Sequence, residues 1–528
     1  MTRRWTAVLV AAIAATLGGA AGAMAQELPL GPAGLPESRS TRALAPGLTA
    51  TQIVRGGAPA DQFFTVDAGF TLDRAQADAT AARVRAAGVD AAVVEVDVHA
   101  PDSPLPGPTG FFARAGRFAT QAEAQATADR LTAASVPGVH VDHTSDDGTP
   151  TSGPWRVHVL EVDPRRYAGV VAPAIADGVL PGRETVSAIA GRVGASAAVN
   201  GGYFVIGEQD GTPGDLAGLS VIAGEVVSEA VDGRTDLVLP RRDGGGARVV
   251  ALSSALRARA SDGARREVDG RNRRPGLIRS CGGDGGDRPT ERPLHDVTCT
   301  DPSELIQFTR WFGATADRGS EIEAVLDRDG RVTALRPPGG PIPSAGSVLG
   351  GTGDAATWLR AHARSGMRVR VGTSISAGRQ PLRRDPALAI VNGGPRLLAA
   401  GRPAITAAAE GFTHPGDPEF FYRFGVRRNP RTLAGVTRAG RLLLVTVDGR
   451  APGYSVGLSF AESAALMAAL GARDAVNLDG GGSTTMTLGS TPVTRPSDTT
   501  GERPVGDAIV LDRRPRGRAA GGAGPPTS

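Results

Sequence analysis

An acid, three glycines and three hydroxyl residues follow one another near the end of this sequence, in the segment NLDGGGSTTM (477–486). Consecutive glycines let a backbone adopt positive φ and bring N–H groups close to an anion, and nearby hydroxyls add donors. A tight structural turn is the alternative interpretation. The acid Asp479, the glycines and the hydroxyls occur together, which favours a phosphate-binding loop. Its predicted contacts are Gly480, Gly481, Gly482, Ser483 and Thr484.

Two further apolar segments end in similar glycine pairs. SAAV precedes Asn200-Gly201-Gly202, and LAIV precedes Asn392-Gly393-Gly394. Asn-Gly is also the commonest hairpin signal. These residues are therefore either turn residues or substrate contacts.

The acidic loop follows a predicted strand. The apolar run RLLLVTV (441–447) predicts a buried strand that stops at Asp448, and residues 474–478 predict a shorter strand that ends before Asp479. With a helix between them, these strands form a β-α-β crossover. If the strands pair in parallel, both acids leave the sheet at its carboxyl edge, where ligands gather.

The helix between these strands is predicted over residues 460–470. Ser459 and Glu462 have the spacing of a capping box, and Gly471 provides a stop. Glu462 is excluded from catalysis, because the capping box already explains it.

Several charged residues elsewhere are candidates for the same edge. Arg428 and Arg431 precede another apolar strand, and since arginine binds phosphate with two N–H groups, one of them is a candidate phosphate holder. A loop with Asp498 and Glu502 completes the set if it returns to this edge. His414 and Asp417 either bind a metal, donate a proton or belong to an ordinary surface loop.

The composition argues against nucleic acid as a partner. Every one of the 58 basic residues is arginine, but the net charge is only +4 and aromatic residues make up 4%. The arginines are scattered among acids, and base-stacking platforms are not evident.

The first residues have the layout of a signal peptide (1–25). Arg3 and Arg4 precede an apolar run that ends at the small-residue site Ala23-Met24-Ala25. A membrane anchor is the alternative, but glycines interrupt the run, and a span needs about 20 apolar residues. We expect a secreted or cell-wall-associated protein without an integral membrane segment after signal removal. Residues 26–60 have the composition of a linker, and 515–528 that of a disordered tail.

Residues 61–146 contain an internal repeat. Each half has paired phenylalanines, a glycine, a helix (74–87 and 121–134) and a valine-rich strand. Two β-α-β halves predict a small ferredoxin-like α+β domain. The segment resembles the sporulation-related repeat domain, which implies binding to cell-wall peptidoglycan. A generic α+β spacer without a ligand is the alternative.

Two cysteines, Cys281 and Cys299, lie in a glycine-rich region. In an exported chain a disulfide is the default expectation. A metal pair or a catalytic thiol would need neighbouring Cys or His residues at suitable spacing, which the sequence lacks.

The motifs together resemble the phosphodiester glycosidase family over roughly residues 196–511. The blocks that carry the resemblance are AVNGGYF (198–204), IVNGGPRLL (390–398), RNPRTLAG (428–435), VTVDGR (445–450), GYSVGLSFAE (453–462), NLDGGGSTTM (477–486) and PSDTTGERPVGDAI (496–509).

This resemblance implies hydrolysis of the C1–O bond of a sugar-1-phosphodiester, with an N-acetylglucosamine-like sugar. The family's motif residues correspond to Asn200, Asn392, Arg428, Arg431, Asp448, Asp479, Ser483, Thr484, Asp498 and Glu502. Our hypothesis makes Asp479 the base or nucleophile, with Asp448 and Glu502 in support. A divalent cation held by Asp448 and Asp479 stays open, because acids at strand ends suit hard cations.

The predicted organisation is α+β, with a mixed-sheet catalytic domain at residues 154–514. From the predicted location, a cell-wall polymer or exopolysaccharide with sugar-1-phosphate links is the expected substrate. A wall polysaccharide-binding protein without turnover is the alternative. A metal phosphodiesterase needs a His and Asp cluster, and the seven histidines are dispersed.

Overall fold

The computed structural model describes residues 27–104, 106–231, 233–240, 245–279, 288–289, 298–413 and 417–512. The predicted signal peptide, the predicted tail, Cys281 and His414 lie outside these residues. Cys299 is buried, and its pairing with Cys281 stays a prediction.

The first part of the chain forms six strands and two helices. In chain order they are β1 (Glu37–Ala45), β2 (Leu48–Arg55), β3 (Phe64–Thr71), α1 (Arg74–Ala86), β4 (Ala91–Val96), β5 (Gly110–Phe118), α2 (Gln121–Ala133) and β6 (His140–His143).

The middle part is rich in short strands. It contains β7 (Trp155–Val162), β8 (Val170–Ile175), α3 (Val186–Val193), β9 (Ala197–Asn200), β10 (Ser220–Ile222), β11 (Glu225–Ser228), β12 (Thr235–Val238), β13 (Arg248–Ala251), β14 (Ser253–Ala260), β15 (Arg265–Glu267), β16 (Gly270–Arg271), β17 (Ile278–Arg279), β18 (Arg288–Pro289), β19 (Thr298–Thr300), β20 (Leu305–Phe308), β21 (Ile322–Leu326), β22 (Val332–Arg336) and β23 (Ser347–Gly351).

The last part carries the remaining helices and most of the motif residues. It contains α4 (Gly353–His362), β24 (Val369–Ala377), β25 (Gln380–Pro381), β26 (Ile390–Val391), β27 (Arg396–Ala399), β28 (Arg402–Pro403), α5 (Pro418–Phe421), β29 (Arg431–Thr437), β30 (Leu442–Val447), α6 (Phe460–Ala469), β31 (Ala472–Asn477), β32 (Met486–Leu488), β33 (Thr491–Pro492) and β34 (Asp507–Asp512). Helix α5 continues into one π-helical turn, Tyr422–Val426.

The protein is α+β and rich in strand, with few helices and several sheets. The largest sheet has the order β1-β2-β7-β30-β29-β31-β27-β28, and every neighbouring pair in it is antiparallel. A second, five-stranded sheet has the order β33-β32-β9-β34-β8, again antiparallel.

Strands β1 and β2 show that the predicted linker at 26–60 is wrong for residues 37–55. They form a hairpin that extends the largest sheet through the β2–β7 pair. β1 is an edge strand whose side chains are mostly exposed. Because such a strand is held by backbone hydrogen bonds rather than by side-chain burial, it leaves no apolar alternation in the sequence.

The largest sheet separates two cores, because successive side chains in a strand point to opposite faces. Leu442 and Leu444 of β30 pack with Val199 and Ile509 of the second sheet. Leu443 and Val445 pack on the other face with the buried side of α6. The loop after β31 therefore begins beside the interface between the largest sheet and the second, five-stranded sheet.

The two strands predicted to pair in parallel do not pair. β29 lies between β30 and β31 and is antiparallel to both. Because each is antiparallel to β29, β30 and β31 run in the same direction. Asp448 and Asp479 thus leave at the same edge as predicted, but two strand positions apart.

The N-terminal module, residues 61–146, has the chain order β-α-β-β-α-β and an antiparallel sheet in the order β4-β5-β3-β6. Its helices end one residue before their predicted ends. Thr120 and Glu123 form a capping box at the start of α2. The helices cover one face of this sheet, with Val66 and Ala113 in the core between them.

The other face of the module's sheet is buried against the second half of the chain. Phe112 lies 5.5 Å from Tyr422 and Phe70 lies 5.3 Å from it, measured between ring centroids. Arg114 on the same face pairs with Asp67 and Asp147. Both faces of the module's sheet are therefore covered by other parts of the chain.

Across the described ranges, no helix combines the length and the apolar character needed to cross a bilayer.

Candidate functional site

The loop 479–484 begins where β31 ends. Gly481–Ser483 form a single 3-10 turn, and Gly481 has a φ of +60°, which a side chain would strain. Four of the loop's N–H groups bond inside the protein, those of Gly480, Gly481, Ser483 and Thr484. The N–H of Gly482 has no partner in the described part of the chain. Of the N–H groups predicted to bind an anion at residues 480–484, only that of Gly482 therefore remains for a ligand among the described residues.

The hydroxyls of Ser483 and Thr484 are buried without a hydrogen-bond partner among the described residues. Most buried polar side-chain atoms in proteins have a partner, so an unpartnered pair needs an explanation. Two such hydroxyls beside a glycine turn are the donor set that the sequence predicted for phosphate.

Asp479 is half-buried at the start of this loop. Its Oδ1 accepts a hydrogen bond of 2.9 Å from the N–H of Gly480. Its main-chain carbonyl accepts one of 2.8 Å from Nδ2 of Asn200. The loop therefore contacts the carboxylate of Asp479, and β9 holds its main chain.

Asn200 is an internal brace between the two sheets. Besides its bond to Asp479, its Oδ1 accepts from the hydroxyl of Thr432 (2.6 Å) and from the N–H of Thr485 (3.1 Å). The side chain is 1% exposed. Of the two interpretations of Asn200, the structure therefore supports neither a hairpin turn nor a direct substrate contact.

Asn392 has the same kind of role. Its Oδ1 accepts from the N–H of Tyr203 at 2.8 Å, and its Nδ2 faces the carbonyl of Tyr203 at 3.3 Å. The N–H of Gly394 in turn donates to the carbonyl of Asn477. The three glycine-rich strand ends at 200, 392 and 477 are therefore bonded to one another.

The glycines of these strand ends are needed for close packing. A Cβ on Gly201 would lie 2.2 Å from Oδ1 of Asp507, and one on Gly393 would lie 3.0 Å from the carbonyl of Asn477. The first distance leaves no room for a side chain and the second leaves little, so both glycines allow close packing between these strand ends.

Tyr203, which the sequence did not single out, joins these strand ends. Its hydroxyl donates to the carbonyl of Gly394 (2.6 Å) and accepts from Nδ2 of Asn477 (2.7 Å). The Oδ1 of Asn477 is buried without a partner among the described residues. The motif NGGYF contained Tyr203, but nothing in its spacing distinguished it from a core aromatic.

Asp498 lies beside the glycine turn in an ion pair. Arg503 contacts it with two nitrogens, at 2.7 and 3.0 Å. A Cβ on Gly482 would lie 2.2 Å from Nη2 of Arg503 and 2.3 Å from Oδ1 of Asp498. The loop that the sequence suggested for this edge therefore lies beside the glycine turn, and it brings Arg503 with it.

Arg450, which was not among the predicted site residues, also lies beside the glycine turn. It has a φ of +52°, and Asn429 Oδ1 accepts from its Nε (3.1 Å) and Nη2 (2.7 Å). A Cβ on Gly481 would lie 3.4 Å from its Nη1. The charges of Arg503 and Asp498 act on its guanidinium. Two arginines thus flank the glycine turn from different loops.

The phosphate role predicted for Arg428 is wrong in this structure. Its Nε and Nη2 pair with Glu462 at 2.8–3.0 Å, and its remaining donors reach the carbonyls of Ser145 and Thr149. Every nitrogen of the guanidinium is therefore used. Arg428 ties α6 to the end of the N-terminal module, and Glu462 is structural as predicted.

Arg431 is also unavailable. It is 1% exposed, its Nε donates to the carbonyl of Leu458, and its guanidinium lies over the rings of Phe424 and Phe460. Burial lowers its pKa. Arg431 is therefore a core residue and not the phosphate-binding residue that the sequence predicted.

Asp448 faces away from β31. Its Oδ1 accepts from the N–H of Arg495 (3.1 Å), and its Oδ2 lies 3.4 Å from Nε2 of His158 on β7. Neighbouring strands are about 4.8 Å apart, so the ends of β30 and β31 are separated by about 10 Å.

The oxygens of Asp448 lie at Arg495 and His158 rather than toward Asp479, which does not favour a cation shared by the two acids. Nor does any group of three or more His, Cys, Asp or Glu side chains in the described ranges suit a metal. This geometry therefore favours neither a cation shared by Asp448 and Asp479 nor a supporting catalytic role for Asp448.

Glu502 caps a helix instead of supporting catalysis. Its two oxygens accept from the N–H (2.9 Å) and the hydroxyl (2.6 Å) of Ser187, at the start of α3. Asp417 is exposed before α5 and makes no capping bond with its side chain. Neither residue contacts the glycine turn.

Asp507, the first residue of β34, brings a further carboxyl near Asp479. It is fully buried, and its Oδ1 accepts from the N–H of Gly202 at 3.0 Å. Burial, aided by the charge of Asp479, raises its pKa to about 7 against the lowering effect of the hydrogen bond from Gly202. The sequence placed Asp507 only as the start of an apolar strand.

A cleft of about 700 Å³ lies elsewhere, lined among others by Arg310, Asp327 and Arg368. None of the predicted site residues lines it. We place the candidate site at the glycine turn because the unpartnered polar atoms, rather than open volume, concentrate there.

Residues 320–511 match the sequence model of the phosphodiester glycosidase family. The match includes the glycine turn, Arg450 and Asp507, whereas Asn200 and Tyr203 lie before it. No curated protein matches the chain.

Fourteen solved chains are similar in structure. One is an exported protein of Burkholderia pseudomallei, 39% identical with a TM-score of 0.84, covering 92% of this chain and 98% of that one. A hypothetical protein from Synechocystis is 19% identical with a TM-score of 0.52, covering 90% and 76%, which shows a similar fold.

The zebrafish N-acetylglucosamine-1-phosphodiester α-N-acetylglucosaminidase catalytic domain, auto-inhibited by its pro-peptide, is more distant. It is 16% identical with a TM-score of 0.35, over 70% of this chain and 80% of that one.

Proposed function

Since the chain belongs to the same family as the exported Burkholderia pseudomallei protein, and its residues 320–511 match the phosphodiester glycosidases, we propose that it hydrolyses the C1–O bond of a sugar-1-phosphodiester. The observation that carries this proposal is the pair of buried, unpartnered hydroxyls of Ser483 and Thr484 beside the glycine turn. Arg450 and Arg503 flank this turn. Hydroxyls and guanidinium groups are the donors that hold a phosphodiester.

In this proposal Asp479 acts at the sugar carbon. The carboxylate either accepts a proton from the attacking water or attacks C1 itself, in which case water releases the sugar in a second step. The C1–O bond breaks, and its electron pair leaves with the phosphate oxygen. The products are a free sugar and a phosphomonoester.

A phosphate leaving group needs little protonation, because it departs as a weakly basic anion. The general acid of ordinary glycosidases is therefore less important here. What the site must supply instead is positive charge beside the departing oxygens. Arg450 and Arg503 supply that charge, and they replace Arg428 and Arg431 in our assignment.

The substrate we propose carries an N-acetylglucosamine-like sugar in a cell-wall or extracellular polymer. The family match supports a sugar phosphodiester as the substrate class, and the similarity to an exported protein supports a substrate outside the cytoplasm. Binding of peptidoglycan by residues 61–146 has no support in the fold, since both faces of that sheet are covered.

The test uses the chain from Gln26 to Ser528, its Asp479→Asn variant and, as a control, Asp474→Asn on the same strand. Each is incubated with the methyl phosphodiester of N-acetylglucosamine or with UDP-N-acetylglucosamine in oxygen-18 water, with and without chelator. Label in the released sugar, lost in Asp479→Asn but not in Asp474→Asn, is the expected result.

Label in the phosphate would mean that the P–O bond breaks, and the protein would then be a phosphodiesterase. Binding of the substrates without turnover would instead indicate a polysaccharide-binding protein.

A further inference from the structure

The carboxyl of Asp507 is buried where a charge is unfavourable. It is 0% exposed, and its Oδ2 has no hydrogen-bond partner among the described residues. Nor does an arginine or histidine pair with it in the described part of the chain. Because burial without a cation disfavours the ionised form, this carboxyl is held neutral below neutral pH.

Asp507 also fixes the turn that supports Asp479. Its Oδ1 accepts from the N–H of Gly202, and its carbonyl accepts from the N–H of Gly201, both at 3.0 Å. Asn200, at the start of this turn, donates to the carbonyl of Asp479. A path of three consecutive residues therefore joins the buried carboxyl to the half-buried one.

The charged surroundings of Asp507 are few. The flanking strands β8 and β9 carry no ionisable side chain. Helix α3, which packs on β34, carries Arg192, which pairs with Glu184 and donates to the carbonyl of Ile175, the residue opposite Asp507. The turn carries Tyr203, whose hydroxyl is bonded to Gly394, and Asp215 belongs to the segment packed on Gly506. Asp479 is the neighbour whose charge acts on Asp507.

We propose that Asp507 is a positioning residue of this site: as a neutral acid it locks the Asn200–Gly202 turn against the Asp479 loop, and its ionisation disrupts the site. Burial disfavours the ionised form of Asp507, and the negative charge of Asp479 disfavours it further, so Asp507 carries a proton. This inference rests on the proposed function for its activity readout.

The variant that tests it is Asp507→Asn, since the amide keeps an acceptor for Gly202 but cannot ionise. In the wild type, kcat/KM on the methyl phosphodiester of N-acetylglucosamine is expected to fall above pH 7. In Asp507→Asn that fall should disappear, with activity within about tenfold of wild type at pH 5.5. The control Asp474→Asn should keep the wild-type profile.

An alkaline fall at the same pH in Asp507→Asn would overturn the proposal. So would a loss of turnover at every pH in a folded variant, because that would make Asp507 a reacting group. The pH profile separates these cases from a merely structural role, which would change amplitude without changing shape.

A second measurement does not depend on turnover. The carboxyl carbons of aspartates are followed by NMR in the wild type and in Asp479→Asn. Asp507 and Asp146 should both titrate near pH 7, so the Asp507 resonance is identified by its absence from Asp507→Asn. That resonance should move to lower pH in Asp479→Asn. If no such resonance exists, the inference fails even where turnover is found. If it exists but no sugar phosphodiester is hydrolysed, the proposed function fails and the neutral state of Asp507 stands.

Discussion

The side-chain amide of Asn200 donates a hydrogen bond of 2.8 Å to the main-chain carbonyl of Asp479, from a strand of the second sheet to a loop of the largest sheet. The same side chain accepts from Thr432 and Thr485. The position of the candidate catalytic acid is therefore set by contact between two sheets.

Replacing Asn200 by alanine should lower both stability and turnover. The substitution leaves the hydroxyl of Thr432 and the N–H of Thr485 buried and unpaired, which costs about 1–3 kcal/mol for each group. We expect a loss of about 3 kcal/mol in urea unfolding and at least tenfold in kcat. An unchanged kcat in the folded variant would show that Asn200 does not position Asp479.

Asp498→Asn should strengthen phosphate binding, whereas Arg503→Ala should weaken it. Asp498 now neutralises Arg503 beside Gly482, so a phosphate must compete with this carboxylate for the guanidinium. We expect a several-fold lower Kd for inorganic phosphate in the first variant and about a tenfold higher Kd in the second. Isothermal titration calorimetry measures both.

Arg441→Ala, which breaks an exposed ion pair with Glu161, is the control for loss of one positive charge. Equal effects of Arg441→Ala and Arg503→Ala would mean that only net charge matters.

Arg428→Ala and Arg450→Ala should separate stability from substrate binding. Arg428 forms a buried pair with Glu462, and removing one partner of such a pair costs about 3–5 kcal/mol. Arg428→Ala should therefore lower the unfolding midpoint while KM of the remaining folded protein stays the same. Arg450→Ala should raise KM with little change in stability. The opposite pattern would restore Arg428 as the phosphate holder.

The stability of the protein should depend on the ionisation of Asp146. Burial raises the pKa of Asp146 from 3.8 to about 7, against the lowering effect of Arg427. Because the folded state holds this proton more tightly than the unfolded state, stability falls as the pH rises from about 4 to 7. Asp146→Asn removes this dependence. The stability of the variant relative to wild type should rise by up to about 4 kcal/mol over that window.

Urea unfolding at pH 4.5, 5.5, 6.5 and 7.5 measures the difference. Asp474→Asn is again the control, and a difference that stays constant with pH would contradict the assignment to Asp146.

Removal of residues 26–149 should unfold the remainder rather than free it. The truncation deletes β1 and β2 from the largest sheet and uncovers Tyr422, which now packs on Phe70 and Phe112. We expect the truncated chain to be insoluble or rapidly degraded by trypsin. A soluble, protease-resistant product of residues 150–512 would show that the second unit folds alone.

The sequence predicted local elements better than contacts between them. The capping box at Ser459 and the helices α1, α2 and α6 depend on residues a few positions apart, and their positions agree with the structure to within one residue. β29 between β30 and β31 could not be foreseen, because strand order depends on contacts between distant segments. The β1–β2 hairpin left no pattern, since its outer strand buries few side chains.

The same limit applies to the site. The glycine turn and Asp479 were identified because consecutive residues carry their chemistry. Arg428 and Arg450 looked alike in the sequence, and only their neighbours, Glu462 for one and the glycine turn for the other, distinguish them. Asp507 was hidden at the start of an apolar strand, because nothing in its surroundings along the chain shows that it lies beside Asp479.

The covered second face of the N-terminal module has a consequence for biosynthesis. Phe70 and Phe112 find their partner Tyr422 only after most of the chain has been made. The ribosome therefore releases the module with an apolar face that stays uncovered until residues 418–427 emerge. The module cannot complete its packing before that point, and a chaperone that shields this face during synthesis would act before the candidate site exists.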